Sequence, residues 1–258
     1  MKLLTQARDL QRRKGRERQH CFVAEGVRTV EVLLASPLSP VGLLVAESAT
    51  DDDRLARLIG DARAKGVPVT SVSDADFASA ATTETPQGVL AVAEIPSRQL
   101  SSPDVGPARF LLLDAIQDPG NVGTIVRTAA ALGVTATVAL PGTVDLWNAK
   151  VVRSSMGALF VHPALAMSWD EWSAFANSHA IPCWAADTEG LVVDSADSLR
   201  GDRLPARFAL VVSNEGAGLS PHIAAVAAQR VAIGMAPEVE SFNVAVATGI
   251  LLHALRPR

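Results

Sequence analysis

The stretch FALVVSNEGAGLSPHIAAVAAQRVAIGMAPEVESFNVAVATGILLHAL, Phe208–Leu255, decides the fold. Two short apolar runs inside it, Phe208–Val212 and Arg230–Ile233, have the length and β-branched content of buried strands. Each opens into a loop of Gly, Asn, Ser and acidic residues rather than a hairpin turn. In open α/β sheets, ligands bind just beyond the carboxyl ends of the strands. The loops Ser213–Leu219 and Gly234–Phe242 are therefore expected on neighbouring strands, gripping one ligand between them. Two ordinary β-to-α turns, with Ser220-Pro221 and Ser241 as helix N-caps, would need about one capping residue each. Glu215, Glu240, Ser241 and Asn243 exceed that need, and the surplus points to a site.

Working outward, strand-like and helix-like segments alternate through the second half of the chain. Phe110–Ala115 and Ala136–Leu140 read as strands, with Val122–Leu132 as the helix between them, ended by Gly133. Asn148–Met156 and Trp169–His179 read as helices, Cys183–Ala186 as a strand and Asn243–Leu255 as an apolar helix. Such alternation predicts a parallel sheet covered on both faces. The first hundred residues form a smaller α/β unit. Glu25–Ala35 reads as a helix, Gly42–Ala46 as a strand, Asp51–Lys65 as a helix, and Val67–Val72 and Val89–Ile95 as strands. The polar stretch SRQLSSPDVGPA, Ser97–Ala108, suggests a linker. The boundaries so read are 1–97 for an N-terminal domain, 98–108 for the linker and 109–258 for the second domain.

The 258 residues, 48% hydrophobic, are enough for a sizeable core. No apolar run approaches the roughly 20 residues that cross a bilayer, and the basic N-terminus lacks the apolar core of a signal peptide. Cys21 and Cys183 form no C-x-x-C pair, which fits a cytoplasmic protein with free thiols. The formal net charge is −4, yet seven Lys and Arg against Asp9 and Glu17 make Met1–His20 strongly basic. A basic leader on an acidic chain suggests a polyanion contact through Arg12, Arg13, Lys14 and Arg16. Leu3, Leu4, Ala7 and Leu10 recur near helical spacing, so the leader also reads as an amphipathic helix. The loop Thr82–Gly88, rich in hydroxyls and amides, reads either as an RNA contact or as a surface turn.

A third loop, Asp118–Arg127, is Gly-bearing and lies between strand and helix. It has neither G-x-G-x-x-G nor a P-loop Lys, so a dinucleotide oxidoreductase is set aside. Asn121 fits a cap position. Arg127, beyond the first turn of that helix, suits a phosphate or carboxylate if it faces the loops. The five His have no metal-ligand spacing, and there is no G-x-S-x-G elbow.

These residues resemble the SpoU, or TrmH-like, branch of the SPOUT class of RNA ribose 2′-O-methyltransferases. The family's three motifs match Asn121-Val-Gly-Thr-Ile-Val-Arg127, Ser213-Asn-Glu-Gly-Ala-Gly-Leu-Ser220 and Ile233-Gly-Met-Ala-Pro-Glu-Val-Glu-Ser-Phe-Asn-Val244. Asp145–Lys150 and Val152–Phe160 also look like the family. Arg12–Arg16 with Phe22–Gly26 resembles the start of its N-terminal RNA-binding domain. The resemblance implies a parallel-sheet domain with a deep trefoil knot, a homodimer, S-adenosylmethionine as cofactor and no metal. It implies cofactor contacts from Ser213, Asn214, Gly216, Ile233, Met235 and Phe242, and a reacting end lined by Asn121, Arg127, Glu215, Ser241 and Asn243. A guanidinium is a donor only and so a poor base, and Arg127 is therefore read as a positioner oriented by Glu215. Ser213, Gly234 and Phe242 stand where the family usually has Gly, Pro and Leu. The expected substrate is ribosomal RNA, 23S rather than 16S. The alternatives are transfer RNA, or a non-catalytic RNA-binding assembly factor whose cofactor pocket has degenerated.

Overall fold

The computed structural model describes residues 2–49, 53–101, 106–193, 204–214 and 218–256. The chain forms two compact units: Met1–Ser97 with Trp147–Val161, and Arg98–Leu146 with His162–Arg258. Helices and strands are numbered in chain order.

In the first unit, β1 (Cys21–Glu25), β2 (Pro40–Ala46), β3 (Val69–Val72) and β4 (Val89–Glu94) form one sheet in the order β1-β4-β2-β3. The two contacts of β4 are antiparallel and β2 pairs β3 in parallel. Alternate residues of a strand face opposite sides. Cys21, Val23, Leu44, Leu90 and Val92 pack beneath α1 (Lys2–Leu10) and α5 (Asp74–Ala80), through Leu4, Ala7, Leu10, Phe77 and Ala80. The leader is thus an amphipathic helix, followed by a second short helix, α2 (Arg13–Gln19). Helices α3 (Val27–Ala35) and α4 (Asp53–Ala64) pack against one another, with α3 also on β1 and β4.

The expected helix at Glu25–Ala35 begins later, at Val27, because Cys21–Glu25 is a fully buried strand and Gly26 holds a φ of 96° between the two. The segment Trp147–Val161, read from sequence with the C-terminal half, packs in this unit as α7 (Ala149–Ser154) and α8 (Ala158–Val161). The Trp147 and Phe160 rings lie 4.5 and 5.8 Å from Phe22. Gly157 turns between the two helices at φ 87°, where a Cβ would sit 2.3 Å from Val32. Both the backbone angle and the approach require glycine.

The second unit is a six-stranded, fully parallel sheet in the order β10-β8-β9-β5-β6-β7. Its strands are β5 (Ala108–Asp114), β6 (Ala136–Ala139), β7 (Ala164–Ala166), β8 (Cys183–Val192), β9 (Arg207–Ser213) and β10 (Gln229–Ala232). One face, with Phe110, Leu112, Val138 and Val211, is covered by α9 (Trp169–Ser178) and α10 (Pro221–Val226), through Trp172 and Ile223. α6 (Pro119–Ala131) packs against α11 (Val244–Ala254), and these two helices reach β6 and β9 respectively. The apolar run FLLL of β5 is buried on both faces, as a central parallel strand requires.

Candidate functional site

Strands β9 and β10 are not neighbours, contrary to the sequence expectation, because β8 lies between them. That insertion makes the site. β8 pairs with β9 only from Cys183 to Ala185 and then leaves it. It pairs with β10 at Trp184 and Ala185, and again at Leu191 and Val192, so Ala186–Gly190 forms an excursion between the two registers. Gly190 comes so close to β10 that a Cβ there would lie 2.6 Å from the backbone of Arg230 and Val231. Beyond Ala185, the carboxyl end of β9 has therefore lost its neighbour on that side, and a cleft of about 270 Å³ opens there.

The cleft takes Val212, Ser213 and Asn214 from β9 and its loop, and Ile233, Met235, Ser241 and Phe242 from the segment after β10. Val244 and Leu251 of α11 close it from behind. Of the six residues expected to hold a cofactor, Ser213, Asn214, Ile233, Met235 and Phe242 line this one space. Gly216 lies outside the described residues, as does Glu215. Ser213 ends β9 in register with Asp114, and its φ is not in the left-handed region, so its side chain costs no backbone strain.

Sequence reasoning missed Ala186, Asp187 and Thr188, which form the wall contributed by β8. The Asp187 carboxylate accepts from Arg230 Nη1 at 3.1 Å and from the Glu189 amide at 3.1 Å. The signal was the run Asp-Thr-Glu-Gly directly after an apolar strand. It also missed Asp114, a buried carboxylate whose Oδ2 accepts from the Ser220 amide at 3.0 Å. The Asp114 carbonyl accepts from the Asn214 amide at 3.3 Å, so Asp114 holds both ends of the loop after β9.

Asn121, Ser241 and Asn243 gather at the entrance to α11. Asn243, not Ser241, is the N-cap: its Oδ1 accepts from the Ala245 and Val246 amides at 3.0 and 3.4 Å. Its Nδ2 donates to Asn121 Oδ1 at 3.1 Å, which links α11 to the first turn of α6. Asn121 is not a cap either. Asp118 fills that role, accepting from the Asn121 amide at 2.8 Å, with Pro119 at the first helical position. Arg127 is exposed on α6 and is not among the lining residues of the cleft.

In the first unit, Arg12, Arg13 and Lys14 are exposed. Arg16 departs from its expected phosphate-facing role. It is 4% exposed, and its Nη1 donates to the Leu10 and Gln11 carbonyls at 2.8 and 3.1 Å. Those groups end α1, where a cation is favoured. The Thr82 and Thr83 hydroxyls likewise donate inward, to the buried Glu25 carboxylate. Among the described residues no group of three or more His, Cys, Asp or Glu side chains could hold a metal, and no helix is long and apolar enough to cross a membrane.

A mainly apolar cleft beyond three parallel strands, with an asparagine pair at its rim, defines an α/β ligand-binding domain joined to a smaller α/β unit. The chain belongs to the SpoU rRNA Methylase family, whose model matches residues 108–253. Residues 3–91 match an MRM3-like substrate binding domain. The chain is 30% identical to the 23S rRNA (guanosine(2553)-2'-O)-methyltransferase RlmP of Bacillus subtilis, over 96% of this chain and 93% of that protein. Among solved structures it resembles the SpoU methyltransferase AviRb from Streptomyces viridochromogenes in complex with AdoMet, with a TM-score of 0.86, 25% identity and coverage of 98% and 96%. It also resembles the AdoMet-bound rRNA methyltransferase from Sinorhizobium meliloti, with a TM-score of 0.80, 26% identity and coverage of 98% and 94%.

Proposed function

We propose that this protein is an S-adenosylmethionine-dependent ribose 2′-O-methyltransferase acting on ribosomal RNA, 23S rather than 16S. The observation that carries the reading is the cleft opened where β8 leaves β9, lined from both of the loops whose residues match the family's cofactor motifs. Its composition suits an adenosyl ligand. Val212, Leu219, Val231 and Ile233 offer apolar walls to a base, while Asp187, Thr188 and Asn214 offer polar groups to a ribose and an amino-acid tail. The bound cofactor supplies a methyl group on a sulfonium, which carries its own leaving group, so the protein's task is alignment.

Asn243 and Asn121, held to each other, fix the entrance of α11 and with Ser241 offer hydrogen bonds to the ribose that bears the target hydroxyl. Arg127 binds an adjacent phosphate through its planar fork of donors and positions it rather than accepting the proton, since a guanidinium offers no acceptor. Glu215, next to the cleft in sequence, orients that guanidinium. Arg12, Arg13 and Lys14 bind RNA phosphates, with Arg16 as the internal anchor that presents them. We assign residues 1–97 to substrate binding, 98–108 to a linker that runs into the first residue of β5, and 109–258 to the methyltransferase domain, of which the segment Trp147–Val161 packs with the first unit. We infer a threaded, knotted C-terminal segment on the match of residues 108–253 to the SpoU rRNA Methylase family. The free, buried Cys21 and Cys183 fit a cytoplasmic protein, and we infer that it works as a homodimer.

Calorimetry with S-adenosylmethionine tests the cofactor, and mass mapping of ribose methylation in RNA from a deletion strain tests the substrate. We expect binding that Phe242→Ala weakens and Ser213→Gly leaves unchanged, and one 23S nucleotide that loses its methyl group. Absence of binding at millimolar ligand would favour the non-catalytic assembly factor. A methyl group lost from transfer RNA alone would reassign the substrate.

A further inference from the structure

The first unit holds a cavity of its own, of about 480 Å³, larger than the cleft of the second unit. That is within the roughly 300–1,000 Å³ of ligand pockets. It lies beyond the carboxyl end of β2, at the starts of α3 and α5. The buried Ala46, Leu55 and Phe77 give it an apolar floor, and the exposed Ser48, Asp74 and Gln87 give it a polar rim open to solvent. Two of these rim groups are fixed in place with hydrogen-bonding capacity to spare. Gln87 Oε1 accepts from the Val27 amide at 3.0 Å. That amide can only donate, so the contact settles which end of the Gln87 side chain is oxygen, and Nε2 has no partner among the described residues. Gly26 leaves room for the contact, since a Cβ there would lie 2.9 Å from Gln87 Oε1. Asp74 Oδ1 accepts from the Ser48 amide at 3.2 Å and from Ser48 Oγ at 2.8 Å, while its Oδ2 likewise has no partner among the described residues.

The loop Thr82–Gly88 supplies one wall. Its Thr82 and Thr83 hydroxyls donate inward to Glu25, so Gln87 is the polar side chain it presents to the cavity. An apolar floor with one oriented donor and one oriented acceptor suits a planar ligand that buries its faces and carries polar groups along its edge. An unpaired nucleobase has that form, and sequence-specific RNA recognition targets such splayed-out bases. A phosphate would be repelled here by the Asp74 carboxylate. The backbone on either side of a bound base would still find cations, because α3 and α4, which give Val27 and Leu55 to the cavity, carry Arg54, Arg57 and Arg28 about the one carboxylate of Glu31. We propose that this cavity holds one unpaired base of the RNA substrate, with Gln87 Nε2 donating to the edge of the base and the Asp74 carboxylate accepting from it. The proposal rests on the reading of the protein as one that acts on RNA.

The test is binding of deproteinised 23S ribosomal RNA to the full-length chain, without cofactor, over a range of KCl concentrations. Chemical probing of base edges with dimethyl sulfate, kethoxal and carbodiimide follows at saturating protein. Asp74→Asn keeps an oxygen to accept from Ser48 and turns the unpartnered oxygen into a donor. It should weaken RNA binding about tenfold, the loss of one hydrogen bond to a charged group. The salt slope should stay the same, because a base contact releases no counterion. An acid that merely sat in solvent beside RNA would behave in the opposite sense, its removal leaving the affinity unchanged or tightening it. Either of those results would overturn the proposal. Gln87→Met removes the donor and should weaken binding to a similar extent. In the wild-type complex one unpaired base should be protected from its reagent, and in both variant complexes that base should react as it does in free RNA. Lowered affinity with the pattern of protected bases unchanged would make Asp74 and Gln87 structural residues and would also overturn it. Wild-type protein that binds no RNA would remove the RNA reading and the base pocket together. Because no cofactor is present, a base whose protection depends on Asp74, in a protein that fails to bind S-adenosylmethionine, would refute the methyltransferase reading and leave the base pocket standing.

Discussion

His162 illustrates how a single side chain in this fold carries a pH dependence. The imidazole is 5% exposed, with Nε2 2.8 Å from Thr137 Oγ1. Burial, reinforced by the charge of Arg98, lowers its pKa to about 4. The folded state therefore resists a proton that the unfolded chain accepts near pH 6.5. Stability from this group is complete above that value and is lost as pH falls from about 6.5 towards about 4, by up to ~3 kcal/mol. Denaturant midpoints compared between mildly acidic and slightly alkaline buffer should show the loss in the wild type and a flatter profile in His162→Gln. Equal pH slopes would assign the loss to other groups. Local sequence could not reveal this histidine's state, because Thr137 and Arg98 lie far from it along the chain. That a polar residue caps α11 was legible, since Ser-Phe-Asn before an apolar helix is a capping pattern. Which of its polar residues caps was not, because the choice depends on Asn121, 122 positions away.

At the scale of elements, Arg109 joins the two helices that carry the asparagine pair. It is 7% exposed at the start of β5, where Nη1 donates to the Leu252 carbonyl at 3.1 Å and Nη2 to that of Leu132. These carbonyls lie at the C-terminal ends of α11 and α6, where helix dipoles favour a cation. Burial, with the nearby Arg256 charge, lowers the guanidinium's pKa, yet an arginine remains charged. Arg109→Met should lower unfolding free energy by about 2–4 kcal/mol, since two buried carbonyls lose a charged donor. The urea midpoint measures this, and a parallel loss of cofactor affinity would show that the clamp sets the α6–α11 spacing at the cleft. An unchanged midpoint would mean that water replaces the guanidinium. Periodicity revealed the parallel sheet and both long helices of this unit because those elements bury continuous apolar faces. It overlooked the short elements β1, α5, α8 and β7, of three to seven residues, which hold their conformation through packing rather than local pattern. Strand order was beyond it too. That β8 lies between β9 and β10 is fixed by long-range pairing, and the cleft follows from that order.

The whole molecule poses the question of its second copy. α11 is apolar on nearly every side, and such a helix must be covered on more than one face. The inner face is accounted for: Val244, Ala245, Leu251 and Leu252 are buried, and Gly249 lies against Thr128 of α6. Leu252, 0% exposed, belongs to that inner face. Val246, 51% exposed, and Ile250, 37% exposed, are four residues apart and form the remaining apolar stripe. Pairing with the same stripe on a second chain about a two-fold axis would cover it. It would also bring the partner's α6, and with it a second Arg127, towards the Asn121–Asn243 rim, where the described residues of one chain line the cleft without a cation. Val246→Glu with Ile250→Glu should therefore yield a monomer by sedimentation, because opposing carboxylates would meet unpaired at the seam. Its melting curve should keep a cooperative transition, since neither site belongs to the core, whereas methyl transfer should be lost. Mixing inactive Arg127→Ala with inactive Asn243→Ala chains should recover activity if each cleft takes its arginine from the other chain. Wild-type protein that sediments as a fully active monomer would dispose of the shared site and of the dimer together.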